Sequence, residues 1–163
     1  MDIGYVDTLH TLAQIAIALI GFSGIVVVFG ERTSARWTAE EALRLYALLA
    51  PSLTVLFCCF IPILLAALLD RPETVWRIAN ALLGLAHGAN LAGFLINTWK
   101  AKITTSQKSL AVFGGLVVAS HFFAAFNLLP LLEFIFIFGL LQQLFIGVHN
   151  FLLLFKDNVS ADT

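Results

Sequence analysis

Residues 45–69 read LYALLAPSLTVLFCCFIPILLAALL, a run of 25 residues without one Asp, Glu, Lys or Arg. A helix rises about 1.5 Å per residue, so about 20 apolar residues cross a hydrocarbon core of about 30 Å. The sequence therefore predicts an all-α, polytopic membrane bundle of five transmembrane helices. The other four charge-free stretches are 8–30, 78–99, 109–132 and 134–155.

The composition of the chain also indicates a membrane environment. Hydrophobic residues make up 60% of the 163 residues and charged residues 12%, whereas a soluble domain carries about 25% charged residues. The net charge of −1 offers no basic surface for nucleic acid. We therefore expect a single transmembrane domain over 1–163, in contact with the lipid bilayer and without a nucleic-acid partner.

Local signals refine the helix ends. Thr38-Ala39-Glu40-Glu41 fits a capping box, so the second helix is expected to begin near residue 39. Asn127 and Pro130 mark a tight hairpin between the last two helices, with a re-entrant segment as the alternative. The predicted spans are 8–30, 39–69, 74–99, 109–129 and 131–155.

Basic residues are unequally distributed between the two sides of the predicted bundle. Arg71 and Arg77 lie on the side of the N-terminal tail, and seven others lie on the opposite side. The positive-inside rule places the richer side in the cytoplasm. We expect a multi-pass protein of a cell inner membrane with its N-terminus outside and its C-terminus inside. The seven are Arg32, Arg36, Arg44, Lys100, Lys102, Lys108 and Lys156.

Small residues mark helix faces that can approach one another closely in lipid. The third span carries Gly84 and Gly88, the first carries Gly21 and Gly24, and the fourth carries Gly115. These glycines predict a core of the first, third and fourth spans. They can meet within one chain or between the chains of a homo-oligomer. The fifth span, rich in Phe and Leu, is expected to face lipid.

Two prolines lie three turns apart on one face of the second span, Pro51 and Pro62. Proline removes a helical hydrogen bond and kinks the helix axis. The second span is therefore expected to bend, either as a hinge or as an ordinary kink that the membrane tolerates.

Uncharged polar residues within the spans are the candidates for function. Neutral amides and imidazoles line a water-filled path without the cost of a buried charge, or they join helices by hydrogen bonds. We predict a channel, pore or transport-like protein that needs no cofactor. The residues expected in its polar interior are Gln14, Asn80, His87, Asn90 and His121.

Association with other chains gives two further possibilities. A ring of Glu31 at the cytoplasmic mouth would bias an oligomeric pore towards cations. Alternatively, the chain is a structural or accessory subunit of a larger membrane complex, because so little of it lies outside the predicted spans.

Haem b is the alternative cofactor. His87 and His121 are predicted at depths that differ by about 5 Å, and axial histidine is a common haem ligand. Gly84, Gly88 and Gly115 would leave room for the macrocycle. On this interpretation the chain is an electron-transfer subunit with bis-histidine haem.

A third interpretation comes from a resemblance. Gly21-Phe22-Ser23-Gly24 resembles the Gly-x-Ser-Gly nucleophile motif of rhomboid proteases, and residues 86–94, AHGANLAGF, resemble their catalytic-histidine helix. The resemblance implies an intramembrane serine protease with Ser23 as nucleophile and His87 as general base. It covers two short pieces, and the chain lacks the spans that precede the serine helix in that family.

Overall fold

The computed structural model describes residues 5–30, 38–98 and 104–161, with side chains at 5–25, 38–98 and 104–155. The described chain is all-helical, and five of its helical stretches are long and apolar enough to cross a membrane. This confirms the predicted helical class and the number of such stretches. The helices are α1 (Val6–Gly30), α2 (Ala39–Cys58), α3 (Phe60–Ala66), α4 (Pro72–Asn97), α5 (Thr105–Ala125) and α6 (Leu132–Ala161).

Two capping boxes lie at one end of the bundle, which we call the capped end. Thr38 Oγ1 accepts from the Glu41 amide at 3.2 Å, and the Glu41 carboxylate accepts from the Thr38 amide at 2.7 Å. This confirms the predicted start of α2. Thr104 and Gln107 form a second box at the start of α5, which we did not predict.

The opposite end, which we call the turn end, carries the connections 67–71 and 126–131. In the second of these, Asn127 and Leu131 have φ values of 60° and 63°, a left-handed conformation that leucine rarely adopts. The two residues reverse the chain within a few positions. The structure therefore has the predicted hairpin between α5 and α6.

A break at Cys59 divides the predicted second span, 39–69, into α2 and α3. Pro62 explains the break, because proline has no N–H and its ring crowds the carbonyl four residues earlier, that of Cys58. Pro51, in contrast, is accommodated inside α2.

The core of the bundle lies around α6. This helix packs against α1, α2, α4 and α5, and Leu140 is fully buried. The prediction that the fifth span faces lipid is therefore wrong, as is the predicted core of spans one, three and four. Gly139 and Gly147 allow the close approach, since Gly139 lies against His121 and Gly147 against Ser52.

The predicted helix-packing glycines divide into two groups. Gly21 and Gly24 lie on the exposed face of α1, where a Cβ would meet nothing within 4 Å. Within the single chain they pack against no helix, which leaves contact between chains as the untested alternative. The other three lie at the contact between α4 and α5, as expected, and they are Gly84, Gly88 and Gly115.

Candidate functional site

A buried asparagine near the turn end ties three helices together. Asn80 Nδ2 donates to the carbonyl oxygens of Trp76 and Leu132, both at 2.9 Å. Its Oδ1 lies 2.9 Å from His121 Nδ1. An amide oxygen can only accept, so Nδ1 carries the proton and Nε2 of the neutral ring is left as an acceptor.

Gly139 covers that remaining nitrogen. A Cβ on Gly139 would overlap Nε2 and Cε1 of His121, so a Cα–H of the glycine points at Nε2 and makes a weak C–H contact. We call Asn80, His121 and Gly139 the clasp. It joins α4, α5 and α6 and closes the interior on the side of the turn end.

A second group of polar side chains lies about one to two helical turns nearer the capped end. His87, Gln142 and Gln143 expose 1%, 5% and 0% of their surface. A Cβ on Gly114 would lie 3.5 Å from His87 Nε2 and 3.6 Å from Gln142 Nε2, so this glycine separates the two side chains. We call His87, Gln142, Gln143 and Gly114 the polar pocket.

The polar pocket lacks hydrogen bonds. Among the residues that the structure describes, His87 Nδ1 and both amide atoms of Gln142 and Gln143 have no partner. Leaving a buried polar group unsatisfied costs about 1–3 kcal/mol, and native structures hold few such groups. Five in one place make this group the candidate site of the described chain.

A crevice leads from the polar pocket towards the capped end, between α2, α4, α5 and α6. Its volume is about 50 Å³, enough for about three or four water molecules. None of its lining residues is Asp, Glu, Lys or Arg. Its polar lining residues are Tyr46, His87, Asn90, Gln107, Gln143 and Asn150.

A polar pair, Gln107 and Asn150, narrows the crevice at the capped end. Gln107 Nε2 donates to Asn150 Oδ1 at 3.2 Å, and Asn150 Nδ2 donates to the Ile146 carbonyl at 2.9 Å. This pair was not among the residues predicted from the sequence. Asn150 follows Gln143 by seven residues and lies on the same face of α6. This spacing was the sequence signal that could have indicated a polar role for Asn150.

The structure separates the five residues predicted to line the interior. His87 and Asn90 line the crevice, and Asn90 Nδ2 donates to Thr54 Oγ1 at 2.8 Å. Asn80 and His121 are interior but belong to the clasp. Gln14 is exposed on the outer face of α1, so it does not line the interior of the single chain.

Glu31, the predicted residue of the mouth, lies outside the described residues.

The haem interpretation does not fit the geometry. The His87 and His121 ring centroids are 6.1 Å apart, but Gly139 covers Nε2 of His121. The helices α4 and α5 are also in direct contact, since a Cβ on Gly84 would lie 3.0 Å from His121 Cβ. The two rings therefore have no slot between them for a macrocycle.

The protease interpretation does not fit the geometry either. Ser23 is buried and donates its hydroxyl to the Ile20 carbonyl at 2.6 Å. Its helix, α1, packs against α2 and α6, whereas His87 faces Gly114 of α5. The structure does not bring the two proposed catalytic residues together.

No protein-family model, curated protein or solved structure matches this chain. Because one fold serves many functions, the chemistry of the site's own residues is the guide to function.

Proposed function

We propose that this chain is a small multi-pass membrane transporter that takes a small, neutral polar solute into the polar pocket from the capped end. Five helices long and apolar enough to cross a membrane suit a multi-pass protein. One observation carries the proposal. Three unpartnered polar atoms of His87 and Gln143 lie at the inner end of a crevice, and the two of Gln142 lie beside them, next to Gly114.

The chemistry of the lining favours a neutral solute. An ion that entered the crevice would lose its hydration shell and meet no opposite charge, because the lining carries none. Amide and imidazole groups both donate and accept hydrogen bonds. A neutral molecule with donors and acceptors of its own therefore replaces its lost water contacts in this site.

Two closures of unequal strength favour a transporter over an open pore. On the turn-end side the fully buried Asn80 makes two hydrogen bonds of 2.9 Å to other helices, with the Leu132 carbonyl of α6 and with His121 of α5. On the capped side the Gln107–Asn150 contact is longer, at 3.2 Å. The pocket is thus more easily opened towards the capped end, which the positive-inside rule assigns to the cytoplasm.

Solute flux in proteoliposomes tests the proposal. Uptake of water, urea and glycerol is followed by light scattering after rapid mixing, with K⁺ and protons as charged comparators. We expect flux of at least one neutral solute above that of protein-free liposomes, and no flux of ions.

Two neighbouring glycines supply a matched pair of variants. Gly114→Ala adds a methyl group beside His87 in the pocket and should lower the flux several-fold. Gly115→Ala adds the same methyl group 3.9 Å from Leu91 and should leave the flux unchanged. Equal flux in the two variants, or no neutral flux at all, would refute the proposal. Stoichiometric co-purification of other chains would instead favour an accessory subunit.

A further inference from the structure

The outer face of α1 carries a polar side chain where lipid is expected. Gln14 is exposed and makes no hydrogen bond with any described residue. Every other amide side chain that the structure describes in the helices is buried or hydrogen-bonded. Gln14 is therefore an exception that the monomer does not explain.

The position of Gln14 deep within the predicted span makes the exposure of its amide energetically unfavourable. It is the ninth of the 25 residues of α1, which places it about 6 Å along the axis from the middle of the helix. Hydrocarbon at this depth offers no hydrogen-bond partner, so an amide exposed to lipid stays unsatisfied. A partner helix at this position would remove the cost.

The residues around Gln14 form one continuous ridge. With 3.6 residues per turn, Asp7, His10, Gln14 and Gly21 fall within about 60° of one another around α1. All four are exposed, and a Cβ on Gly21 would meet nothing within 4 Å. The ridge thus combines an acid, an imidazole and an amide with a point at which another backbone can come close.

We propose that this ridge pairs with the same ridge of a second copy of the chain, around a two-fold axis along the membrane normal. Copies inserted in the same direction present parallel α1 helices, so Gln14 lies opposite Gln14. One amide carries both a donor and an acceptor, which makes the contact self-complementary, as a two-fold interface requires. Gly21 marks the closest approach of the two helices.

Hydrogen-bond complementarity at the end of the ridge, between a carboxylate acceptor and an imidazole N–H donor, favours a second copy over a different protein. Asp7 and His10 lie one turn apart on the same ridge. A two-fold axis therefore brings each carboxylate next to the imidazole of the other copy. The crevice lies between α2, α4, α5 and α6, so pairing through α1 leaves it accessible and is independent of the proposed transport.

Energy transfer between two fluorescently labelled populations of the full chain in liposomes tests the pairing. The dissociation constant is obtained from a series of protein-to-lipid ratios. Interhelical polar contacts in membranes predict that Gln14→Leu raises this constant about three- to twentyfold. Gly21→Ile should raise it further by blocking the approach, and Gln14→Asn, which keeps the amide, should restore most of the affinity.

The control is Ile15→Leu, an exposed neighbour about 100° around the helix. It should leave the dissociation constant unchanged. Leucine on an exposed face leaves the buried core intact, so loss of folding does not confuse the result. A monomer at every lipid ratio, equal effects of Gln14→Leu and Ile15→Leu, or pairing only with a different protein would each overturn the proposal.

Discussion

The clasp and the polar pocket contain the same residue types, an amide, a histidine and a glycine, but differ in their hydrogen bonding. The clasp takes its amide from α4, its histidine from α5 and its glycine from α6. The pocket takes its histidine from α4, its glycine from α5 and its amides from α6. Yet only one side-chain polar atom of the clasp, His121 Nε2, lacks a hydrogen-bond partner among the described residues, while five atoms of the pocket lack one.

The two glycines explain much of the difference. The space beside Gly139 is filled by the His121 ring, whereas the space beside Gly114 would hold a methyl group, with its nearest neighbours at 3.5 and 3.6 Å. A glycine in a membrane helix thus serves either to admit a neighbouring ring or to leave a cavity. The first use stabilises the fold, and the second provides a place for a ligand.

The largest expected effect breaks the clasp. In Gly139→Ala the new methyl group would overlap the His121 ring and push it away from Asn80. We expect the free energy of unfolding in micelles to fall by about 2–3 kcal/mol. Gly115→Ala is the control and should change it by less than about 0.5 kcal/mol. Equal stability of the two variants would contradict the tight contact.

Removing the amide of the clasp should have the next largest effect. Asn80→Leu leaves the His121 N–H without an acceptor in a fully buried position, at a cost of about 1–3 kcal/mol of unfolding free energy. Asn97→Leu is matched to it, because Asn97 is exposed and donates only to Gly93 of its own helix. The interpretation of the clasp as a structural tie fails if denaturant titration gives both variants the same loss.

The corresponding change in the pocket should act in the opposite direction. Gln143→Leu removes two buried atoms that have no partner among the described residues, so stability should stay unchanged or rise by about 1 kcal/mol. Solute flux, measured on the same preparation, should be lost. A loss of stability as large as that of Asn80→Leu would show that Gln143 is a structural residue and not part of a site.

The smallest expected effect on stability is that of Gly114→Ala. Its methyl group would meet His87 and Gln142 at ordinary contact distances of 3.5 and 3.6 Å, so unfolding should shift by less than about 0.5 kcal/mol. Flux should nevertheless fall, as argued above. A large loss of stability would mean that the pocket is already as tightly packed as the clasp.

The parts of the fold that depend on local chemistry were predictable from the sequence. Charge-free runs showed the five long helices, and Thr38 and Glu41 fixed the start of α2. The break at Cys59 was foreshadowed by Pro62. Cys59 itself keeps a right-handed helical conformation, so α2 and α3 together form one stretch, Ala39–Ala66, long enough to cross a membrane.

Which face of each helix points to the interior was not predictable from the sequence. In a soluble protein the apolar face of a helix turns inward, but in lipid both faces are apolar. Hydropathy therefore did not distinguish Gln14, which is exposed, from Asn80, which is buried. The central place of α6 was missed for the same reason, because a helix rich in Phe and Leu suits both a core and a lipid-facing position.

The contacts of the site are distant in sequence. Asn80 and His121 are 41 residues apart, and Gln107 and Asn150 are 43 apart. Side-chain types and spacing within one helix do not determine which residue of another helix lies opposite. Only the packing of α4, α5 and α6 separated the histidine that holds the fold from the histidine that lines the crevice.

The uncharged lining of the crevice has an electrical consequence. A membrane potential does about 2.3 kcal/mol of work per 100 mV on each elementary charge that crosses the membrane. Neither a neutral solute nor the uncharged residues that line the crevice would carry such a charge. Transport through this pocket would therefore be insensitive to voltage and would produce no current, so the solute would be distributed by its own concentration gradient.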